Sequence, residues 1–289
     1  MKNCLTIDLE SIAHRYLTER KSLSGEIRDR ILNEEGRRAI DGGALPRNTR
    51  NMLDILSRYG HTATFFIVGE LHSWYPELIQ EIAERGHEVA YHSHTHQLLQ
   101  TVDSLRTSIQ QSEDFIRSHR PRGFRAPRAK ITREFLAELS RQGFVYDSSS
   151  YGPLDISQKI DGVIEIPIST HSFLGKKPSL TLPRHLSLDL LLKLEIPFGS
   201  GYFISLMSAV SPNLIGYFIE KSNRKGYPSV LCIHPWQLSR ETSGKVSSMN
   251  LARLGYLPYD ISCYRAFEYL VENYRFFSMS ELIEDMGIF

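Results

Sequence analysis

The chain has 289 residues, of which 41% are hydrophobic and 23% charged, a composition typical of a globular protein with a sizeable core. The formal net charge is only +1, so the chain lacks the strong positive field expected of a nucleic-acid-binding protein. The three cysteines lie far apart and form no CxxC pair, which favours reduced thiols over a disulfide framework.

The N-terminal segment, MKNCLTIDLE, has a carboxylate at residue 8 and leaves no room for the apolar region of a signal peptide. No apolar run reaches the ~18 residues that cross a bilayer. We therefore expect a cytoplasmic protein without a transmembrane segment, with peripheral attachment to a membrane as the alternative. The most apolar run, Gly201 to Ile219, favours a pair of core helices over a membrane-facing or substrate-facing surface.

Strand and helix patterns alternate along the chain. A polar, charged insertion of about residues 15–45 follows the first strand, and Asn48 is predicted to cap a helix that Gly60 ends. Further helices are predicted from Pro76 to Gly86, from about Ser104 to Ser118, from Thr132 to Gly143 and from Ser280 to Met286. Strands are predicted at Cys4 to Leu9, Ala63 to Val68, His87 to Tyr91, Gly123 to Arg125, Phe144 to Asp147, Ile164 to Ile168, Val230 to Ile233 and Phe276 to Ser278.

This alternation indicates βαβ units around a parallel sheet, and about seven such units predict a closed or nearly closed α/β barrel. No linker and no internal repeat interrupts the pattern, so we interpret residues 1–289 as a single domain. In barrels, functional side chains gather at the C-terminal ends of the strands. The motifs of interest follow predicted strands.

Asp8-Leu9-Glu10 ends the first predicted strand. Because side chains alternate along a strand, Asp8 and Glu10 face the same side and can enter one site. One carboxylate can then bind a metal while the other acts as a base. The alternative is a solvated strand end with two surface acids.

The run His92-Ser93-His94-Thr95-His96 places three histidines directly after a predicted strand. If the segment is helical, His92 and His96 share one face at the i, i+4 spacing of a divalent-metal pair, and His94 points elsewhere. Two imidazoles and a carboxylate leave coordination positions open, as in catalytic sites. The alternative is a loop that the histidines cap.

Three further motifs follow later strands. In Arg125-Ala126-Pro127-Arg128 a guanidinium can fix a carboxylate, and the proline can aim a following backbone N–H at an oxyanion. The segment from Tyr146 to Tyr151 can supply an acidic partner and an aromatic wall, or be only a polar loop. His234 ends an apolar strand and precedes a proline, a place suited to proton transfer, although a lone histidine there is also commonly structural.

The segments ATFFIVGEL, PELIQEIAERGHEVAYHSHTH, GFRAP, GFVYDSSSY and IHPW resemble the signature segments of polysaccharide deacetylases of the chitooligosaccharide-deacetylase homology type, carbohydrate esterase family 4 and its relatives. The resemblance implies a distorted (β/α)7-type barrel. Within the superfamily, TIDLE, GSGYF and IHPW look most similar to the exosortase-associated subgroup found in bacterial exopolysaccharide loci.

The resemblance also implies a role for seven residues of this chain. Glu10, His92 and His96 would hold a divalent metal, Asp8 would be the general base oriented by Arg125, His234 would be the general acid, and the backbone N–H of Arg128 would help hold the oxyanion. Zinc is the first choice of metal, with cobalt, nickel or iron as alternatives, because a site of two histidines and a carboxylate discriminates poorly among them.

The implied activity is hydrolysis of N-acetyl or other N-acyl groups on an amino sugar by a metal-activated water. The implied substrate is an N-acetylated amino-sugar oligomer, a polymer or a lipid-linked precursor. Two readings compete with it: a related hydrolase of a small amide or cyclic ureide, and a non-catalytic member that binds glycan or metal.

The chain departs from the family pattern in two places. Leu9 separates two acids where many relatives have adjacent aspartates, and Ser11 follows where the subgroup usually has an acid. Ser150 stands where the family often has an acid that supports the catalytic histidine, and Asp147 is not assured of reaching it. The sequence therefore leaves the partner of His234 open.

Overall fold

The structure, a computed structural model, describes residues 1–18, 25–154, 157–172, 195–239 and 261–287. Its strands are β1 (Asn3–Leu9), β2 (Thr64–Ile67), β3 (Glu88–Tyr91), β4 (Gly123–Phe124), β5 (Tyr146–Asp147), β6 (Tyr151–Gly152), β7 (Gln158–Ile160), β8 (Val163–Glu165), β9 (Ile168–Ser169), β10 (His171–Ser172), β11 (Glu195–Ile196), β12 (Val230–Ile233) and β13 (Phe276–Phe277).

Helices connect most of these strands. They are α1 (Ile12–Thr18), α2 (Gly25–Arg30), α3 (Glu34–Asp41), α4 (Ala44–Tyr59), α5 (Leu71–Trp74), α6 (Pro76–Glu84), α7 (Val102–Gln111), α8 (Glu113–His119), α9 (Arg133–Arg141), α10 (Gly201–Val210), α11 (Asn213–Arg224), α12 (Tyr264–Asn273) and α13 (Met279–Asp285). Among the described residues, no helix combines the length and the apolarity that crossing a membrane requires.

One large sheet organises the described residues. Its strand order is β12-β1-β2-β3-β4-β5-β8-β7, and β13 also pairs with β1. The pairs are parallel except for the antiparallel pair of β7 and β8. The sheet curls into a partial barrel. The predicted alternation of strands and helices is therefore confirmed, and the path does not close into a ring within the described ranges.

The register of the central strands brings their C-terminal ends level with one another. Ile7 of β1 pairs with Ile233 on one side and with Phe65 on the other. Further along, Ile67 pairs with Tyr91, and Tyr91 pairs with Phe124. The residues that follow these positions therefore meet at a single edge of the sheet.

The buried core lies around this sheet, and all seven residues of β1 are buried. Helix α4 packs Met52, Leu53 and Leu56 into the core and ends at Gly60, which adopts the predicted left-handed conformation with φ of 66°. Helices α10 and α11 also bury apolar side chains, so they form the expected core pair.

Two local predictions are wrong. Asn48 does not cap α4, because the helix already begins at Ala44 and Asn48 is buried inside it; Pro46 is tolerated there since the first helical turn needs no N–H partner. The helix predicted from Ser104 to Ser118 is two helices that meet at Ser112.

The charged insertion of about residues 15–45 contains helices α2 and α3, and its residues 19–24 lie outside the described ranges. A buried ion network fastens this region to the loop after β2. Glu70 Oε1 lies 2.6 Å from His14 Nε2 and 2.8 Å from Arg37 Nε, and Glu70 Oε2 lies 2.5 Å from Arg37 Nη2. We refer to His14, Arg37 and Glu70 as the Glu70 network.

Candidate active site

The ends of four parallel strands supply the candidate site. Asp8 is in β1 and Glu10 follows that strand, while His92 follows β3, Arg125 follows β4 and His234 follows β12. The side chain of His234 is 13% exposed, and the other four are buried. The structure thus brings together residues that are up to 226 positions apart along the chain, at the strand ends where the sequence placed them.

Glu10, His92 and His96 form a compact group, which we call the His-Glu cluster. One donor atom from each residue lies within 4.8 Å of the others, and His96 Nε2 is 3.0 Å from Glu10 Oε2. The centroids of the two imidazole rings are 4.8 Å apart. Sequence reasoning therefore selected three residues that do meet.

The two histidines do not meet through a helix, so the helical interpretation of residues 92–96 is wrong. Ser93 and His96 adopt left-handed backbone conformations, with φ of 61° and 60°, and the segment is a tight loop. His94 points away from the cluster, as expected, with its Nδ1 3.0 Å from Ser112 Oγ.

Hydrogen bonding fixes the protonation of His92. Its Nδ1 lies 2.7 Å from the backbone oxygen of Arg125; a carbonyl can only accept, so Nδ1 carries the proton. Burial lowers the pKa of His92 to about 4, which keeps the ring neutral near pH 7. His92 Nε2 is buried and has no hydrogen-bond partner among the described residues.

These features suit a divalent cation. Metal-ligating histidines usually donate their outer N–H to a carbonyl or carboxylate, as His92 does, and they bind the ion through a neutral ring. Burial raises the pKa of Glu10, but the neighbouring His96 outweighs burial and the net shift is downward, so Glu10 is ionised. Two imidazoles and one carboxylate are the donor set of open, catalytic metal sites.

Asp8 and Arg125 form a buried ion pair beside the cluster. Arg125 Nη1 lies 2.5 Å from Asp8 Oδ1, and the guanidinium also donates to Thr6 Oγ1 (2.9 Å), Ser148 O (2.8 Å) and Ser148 Oγ (2.9 Å). Burial raises the pKa of Asp8, but the Arg125 charge outweighs it, and the net pKa lies below the ordinary value. Asp8 is therefore a carboxylate whose second oxygen, Oδ2, lies 3.8 Å from His92 Nε2.

His234 faces these carboxylates with one nitrogen and a glutamine with the other. Its Nε2 lies 3.8 Å from Asp8 Oδ2 and 3.5 Å from Glu10 Oε1, and its Nδ1 lies 2.7 Å from Gln237 Oε1. The Trp236 ring packs against the imidazole at a centroid distance of 4.7 Å and donates its Nε1–H to Glu10 Oε1 at 3.2 Å.

The acid of the segment from Tyr146 to Tyr151 does not support His234. Asp147 Oδ1 accepts a hydrogen bond from Ser149 Oγ at 2.6 Å, and Asp147 pairs in register with Glu165 of β8. The partner of His234 is Gln237, which sequence reasoning missed. The available signal was its i+3 position after a strand-end proline, because the turn at Pro235–Gln237 folds that side chain back onto His234.

Arg128 lies in the turn that follows Arg125. The turn spans Pro127–Ala129, and Arg128 itself has a left-handed backbone conformation with φ of 56°. Its side chain is exposed. Its part in holding an oxyanion stays a prediction.

Comparisons with known proteins agree with this fold. Residues 39–146 match the family model described as polysaccharide deacetylase. Over 122 residues the chain is 32% identical to a chitooligosaccharide deacetylase of Bradyrhizobium sp. (strain ANU 289), covering 40% of this chain and 56% of that protein. Over 114 residues it is 31% identical to the peptidoglycan-N-acetylmuramic acid deacetylase PdaC of Bacillus subtilis (strain 168), covering 37% and 24%.

A crystal structure from Mycobacterium smegmatis, assigned as a polysaccharide deacetylase, has the same fold, with a TM-score of 0.59 and 19% identity over 99% of this chain and 91% of that one. Within residues 39–146 the chain is therefore similar to polysaccharide deacetylases, and over nearly its whole length it shares the fold of the Mycobacterium smegmatis structure. Its matched stretch spans about a quarter to just over half of the two curated relatives. Membership of the exosortase-associated subgroup stays a prediction.

Proposed function

We propose that this protein is a metal-dependent hydrolase that removes N-acetyl, or other N-acyl, groups from amino sugars of a bacterial polysaccharide or its precursor. The observation that carries the proposal is the buried His92 Nε2, which is neutral, lacks a hydrogen-bond partner among the described residues and lies beside Glu10 and His96. The relatives named above act on chitooligosaccharides and peptidoglycan, according to their names, which supports an N-acetylated oligomer, polymer or lipid-linked precursor as substrate.

The His-Glu cluster would hold the metal. Zinc is the ion that we propose, and cobalt, nickel and iron also suit this donor set. When bound, such an ion supplies Lewis-acid chemistry, which polarises a carbonyl and acidifies water. Glu10 is already a carboxylate and His92 a neutral ring; burial lowers the pKa of His96, but the Glu10 charge outweighs it and the net shift is upward, so His96 would release a proton as the ion binds.

Asp8 would take the proton of the attacking water. Arg125 occupies its Oδ1, so Oδ2 is the oxygen that faces the other site residues and can accept a proton. A carboxylate held ionised and fixed in this way is suited to act as a general base. The exclusion of solvent from this buried pair strengthens its interaction with developing charge.

His234 would give a proton to the departing amine, which otherwise would have to leave as an unstable amide anion. Its Nε2 lies 3.8 Å from Asp8 Oδ2, so the proposed acid and base would be close enough to serve one substrate. The backbone N–H of Arg128 would help hold the oxyanion, a contact whose loss typically costs ~3–4 kcal/mol of transition-state stabilisation.

The proposal is tested by acetate release from N-acetylglucosamine oligomers, using purified protein stripped of metal by a chelator and then supplied with zinc. We expect release that depends on the added zinc. The His234→Ala variant should still bind zinc stoichiometrically but lose activity by about 10²–10⁴-fold, the usual contribution of a general acid.

Two results would contradict the proposal. An equal loss of zinc and activity in His234→Ala would make His234 a ligand instead of an acid. Zinc bound stoichiometrically by the wild-type protein without acetate release would favour a hydrolase of another small amide or ureide, or a non-catalytic glycan-binding protein.

A further inference from the structure

We infer that Gln237 is the positioning residue for His234: its side-chain amide fixes the orientation and the tautomer of the imidazole, so that Nε2 is the nitrogen that exchanges protons with the substrate. The inference rests on the proposed function, because it assigns His234 the role of proton donor. Gln237 would take the role of the acid that often supports the catalytic histidine in the family, where this chain has Ser150.

The orientation of the Gln237 amide follows from groups that have only one hydrogen-bonding role. The backbone N–H of His234 can only donate, and it lies 2.9 Å from Gln237 Oε1. The backbone oxygen of Gly201 can only accept, and it lies 2.9 Å from Gln237 Nε2. The amide oxygen therefore faces His234, and the amide nitrogen faces helix α10.

The tautomer of His234 follows from that orientation. Gln237 Oε1 lies 2.7 Å from His234 Nδ1, and an amide oxygen offers only lone pairs, so Nδ1 must carry a proton. The backbone N–H of Gln237 is directed at both the His234 ring and the His234 carbonyl, to which it donates at 3.0 Å; the proton is assigned to Nδ1 from the shorter contact with Gln237 Oε1. The proton given to a leaving group must then come from Nε2, which faces Asp8 and Glu10.

The contacts of Gln237 give a role to a segment of the chain that the proposed chemistry does not use. Gly199 to Phe203 (GSGYF) begins helix α10, where Gln237 Nε2 also donates to Ser205 Oγ at 2.8 Å. A Cβ atom at Gly201 would lie only 2.6 Å from Gln237 Oε1. The glycine therefore leaves the space that the amide occupies.

A neutral amide at the position of Gln237 acts on the His234 ring differently from a carboxylate. It accepts the Nδ1–H bond but cannot take the proton away, so the ring loses protons only through Nε2. In a serine-protease triad, the wrong histidine tautomer alone costs about 10⁴-fold in turnover, which shows how much such fixation can contribute. A purely structural role would be different: Gln237 also caps the turn at Pro235–Gln237, and its loss would then affect any activity of the site equally.

The test compares two leaving groups. Release of an amine from N-acetylglucosamine oligomers needs a proton donor, whereas release of a stabilised phenolate from 4-methylumbelliferyl acetate does not. For zinc-loaded Gln237→Leu we expect kcat on the amide to fall about 10–100-fold, with KM and zinc content unchanged. Turnover of the aryl ester should change by less than about twofold. His234→Ala should show the same selectivity.

Two matched variants sharpen the comparison. Gln237→Glu keeps an oxygen acceptor for Nδ1 and should retain more amide turnover than Gln237→Leu. Gly201→Ala should displace the amide and reproduce the selective loss without altering either residue of the pair. A parallel loss on both substrates in Gln237→Leu, with normal zinc content and thermal unfolding, would overturn the inference, and so would unchanged amide turnover.

The tautomer can also be measured without any substrate. In metal-free protein with ¹⁵N-labelled histidine, NMR should show neutral His234 protonated at Nδ1, with its signals identified by their disappearance in His234→Ala. Protonation at Nε2 in the wild-type protein would overturn the inference. If the wild-type protein releases no acetate, the proposed function fails, and the NMR result still decides the role of Gln237.

Discussion

At the scale of single residues, hydrogen bonds to the outer ring nitrogen orient two of the imidazoles of the candidate site. His92 Nδ1 donates to the Arg125 carbonyl and His234 Nδ1 to the Gln237 amide, so both rings turn Nε2 towards the carboxylates. His94 lies within the same histidine run, but its Nδ1 is 3.0 Å from Ser112 Oγ. The direction in which each ring points, more than its spacing in the sequence, distinguishes a candidate ligand from its neighbour.

This distinction predicts different effects for two neighbouring substitutions. His92→Ala removes a donor of the His-Glu cluster. It should weaken zinc binding by more than about 100-fold, because loss of a residue that only supports a ligand already weakens binding by about 10–100-fold. His94→Ala is the matched control and should bind zinc nearly as the wild type does. Isothermal titration calorimetry measures both, and a comparable loss in the two variants would contradict the assignment.

Single residues also show where sequence reasoning succeeded and where it stopped. Asp8, Glu10, His92, Arg125 and His234 could be chosen because each follows a predicted strand and has a chemically distinctive side chain. Gln237 could not, because a glutamine after a strand is ordinarily solvated, and only the turn geometry directs it back. The left-handed backbone of the histidine loop could not be predicted either, since only a few per cent of non-glycine residues adopt it.

At the scale of elements, the Glu70 network joins the charged insertion to the wall of the site. Glu70 precedes α5, His14 belongs to α1 and Arg37 to α3, so one carboxylate holds three elements together. Burial raises the pKa of Glu70, but hydrogen bonds from His14 and Arg37 outweigh it and give a net downward shift. The sequence predicted the insertion but not this anchor, because its members lie up to 56 residues apart.

The network predicts an acid-sensitive contribution to folding. Glu70→Gln leaves Arg37 without its ionic partner, and we expect the free energy of unfolding at pH 7 to fall by ~3–5 kcal/mol. Because the folded-state pKa of Glu70 is lowered, its stabilisation is complete above the ordinary value of about 4.3 and is lost as the pH falls through the lower, folded value. Urea denaturation at pH 7 and at successively lower pH measures both effects.

Glu81→Gln is the control for this experiment. Glu81 pairs with Arg50 and Arg85 on the surface, and its side chain is 25% exposed, so its loss should cost no more than ~1 kcal/mol. Equal destabilisation by the two substitutions would show that the Glu70 network is no more than an ordinary surface pairing.

At the scale of the whole molecule, the sheet brings together a second group of carboxylates that the proposed chemistry does not use. Asp147 and Glu165 are register partners on β5 and β8, and both are fully buried. Burial raises the pKa of each; the Glu165 charge raises that of Asp147 further, and the pKa of Glu165 rises to about 7. Asp147 Oδ2 and Glu165 Oε2 receive no hydrogen bond from the described residues, which suits a pair that retains a proton.

This acid pair predicts that stability declines as the pH rises towards 7. Between the ordinary carboxyl pKa of about 4.3 and the folded value of about 7, the folded state binds more protons than the unfolded state, so stability declines as the pH rises. Glu165→Gln cannot ionise and should flatten this decline. Thermal unfolding between pH 5 and pH 9 measures it, and the exposed-turn variant Asp161→Asn should keep the wild-type slope. An equal slope in wild type and Glu165→Gln would contradict the prediction.

The order of strands could be anticipated only in part. Alternating elements predicted a parallel sheet, and β12 matched its predicted bounds, from Val230 to Ile233. The pairing of β12 with β1, which brings His234 beside Asp8, depends on contacts between segments more than two hundred residues apart. Local patterns carry no information about such pairings, because every apolar strand offers the same backbone hydrogen bonds.

The position of β1 between β12 and β2 has a consequence for the order in which the site is built during synthesis. Glu10, His92 and His96 emerge from the ribosome early, and the carbonyl that orients His92 follows with Arg125. His234 and Gln237 emerge much later, on the strand that covers the open edge of β1. We therefore expect a growing chain to expose the proposed metal ligands well before the proposed acid, so that turnover would begin only after β12 has paired with β1.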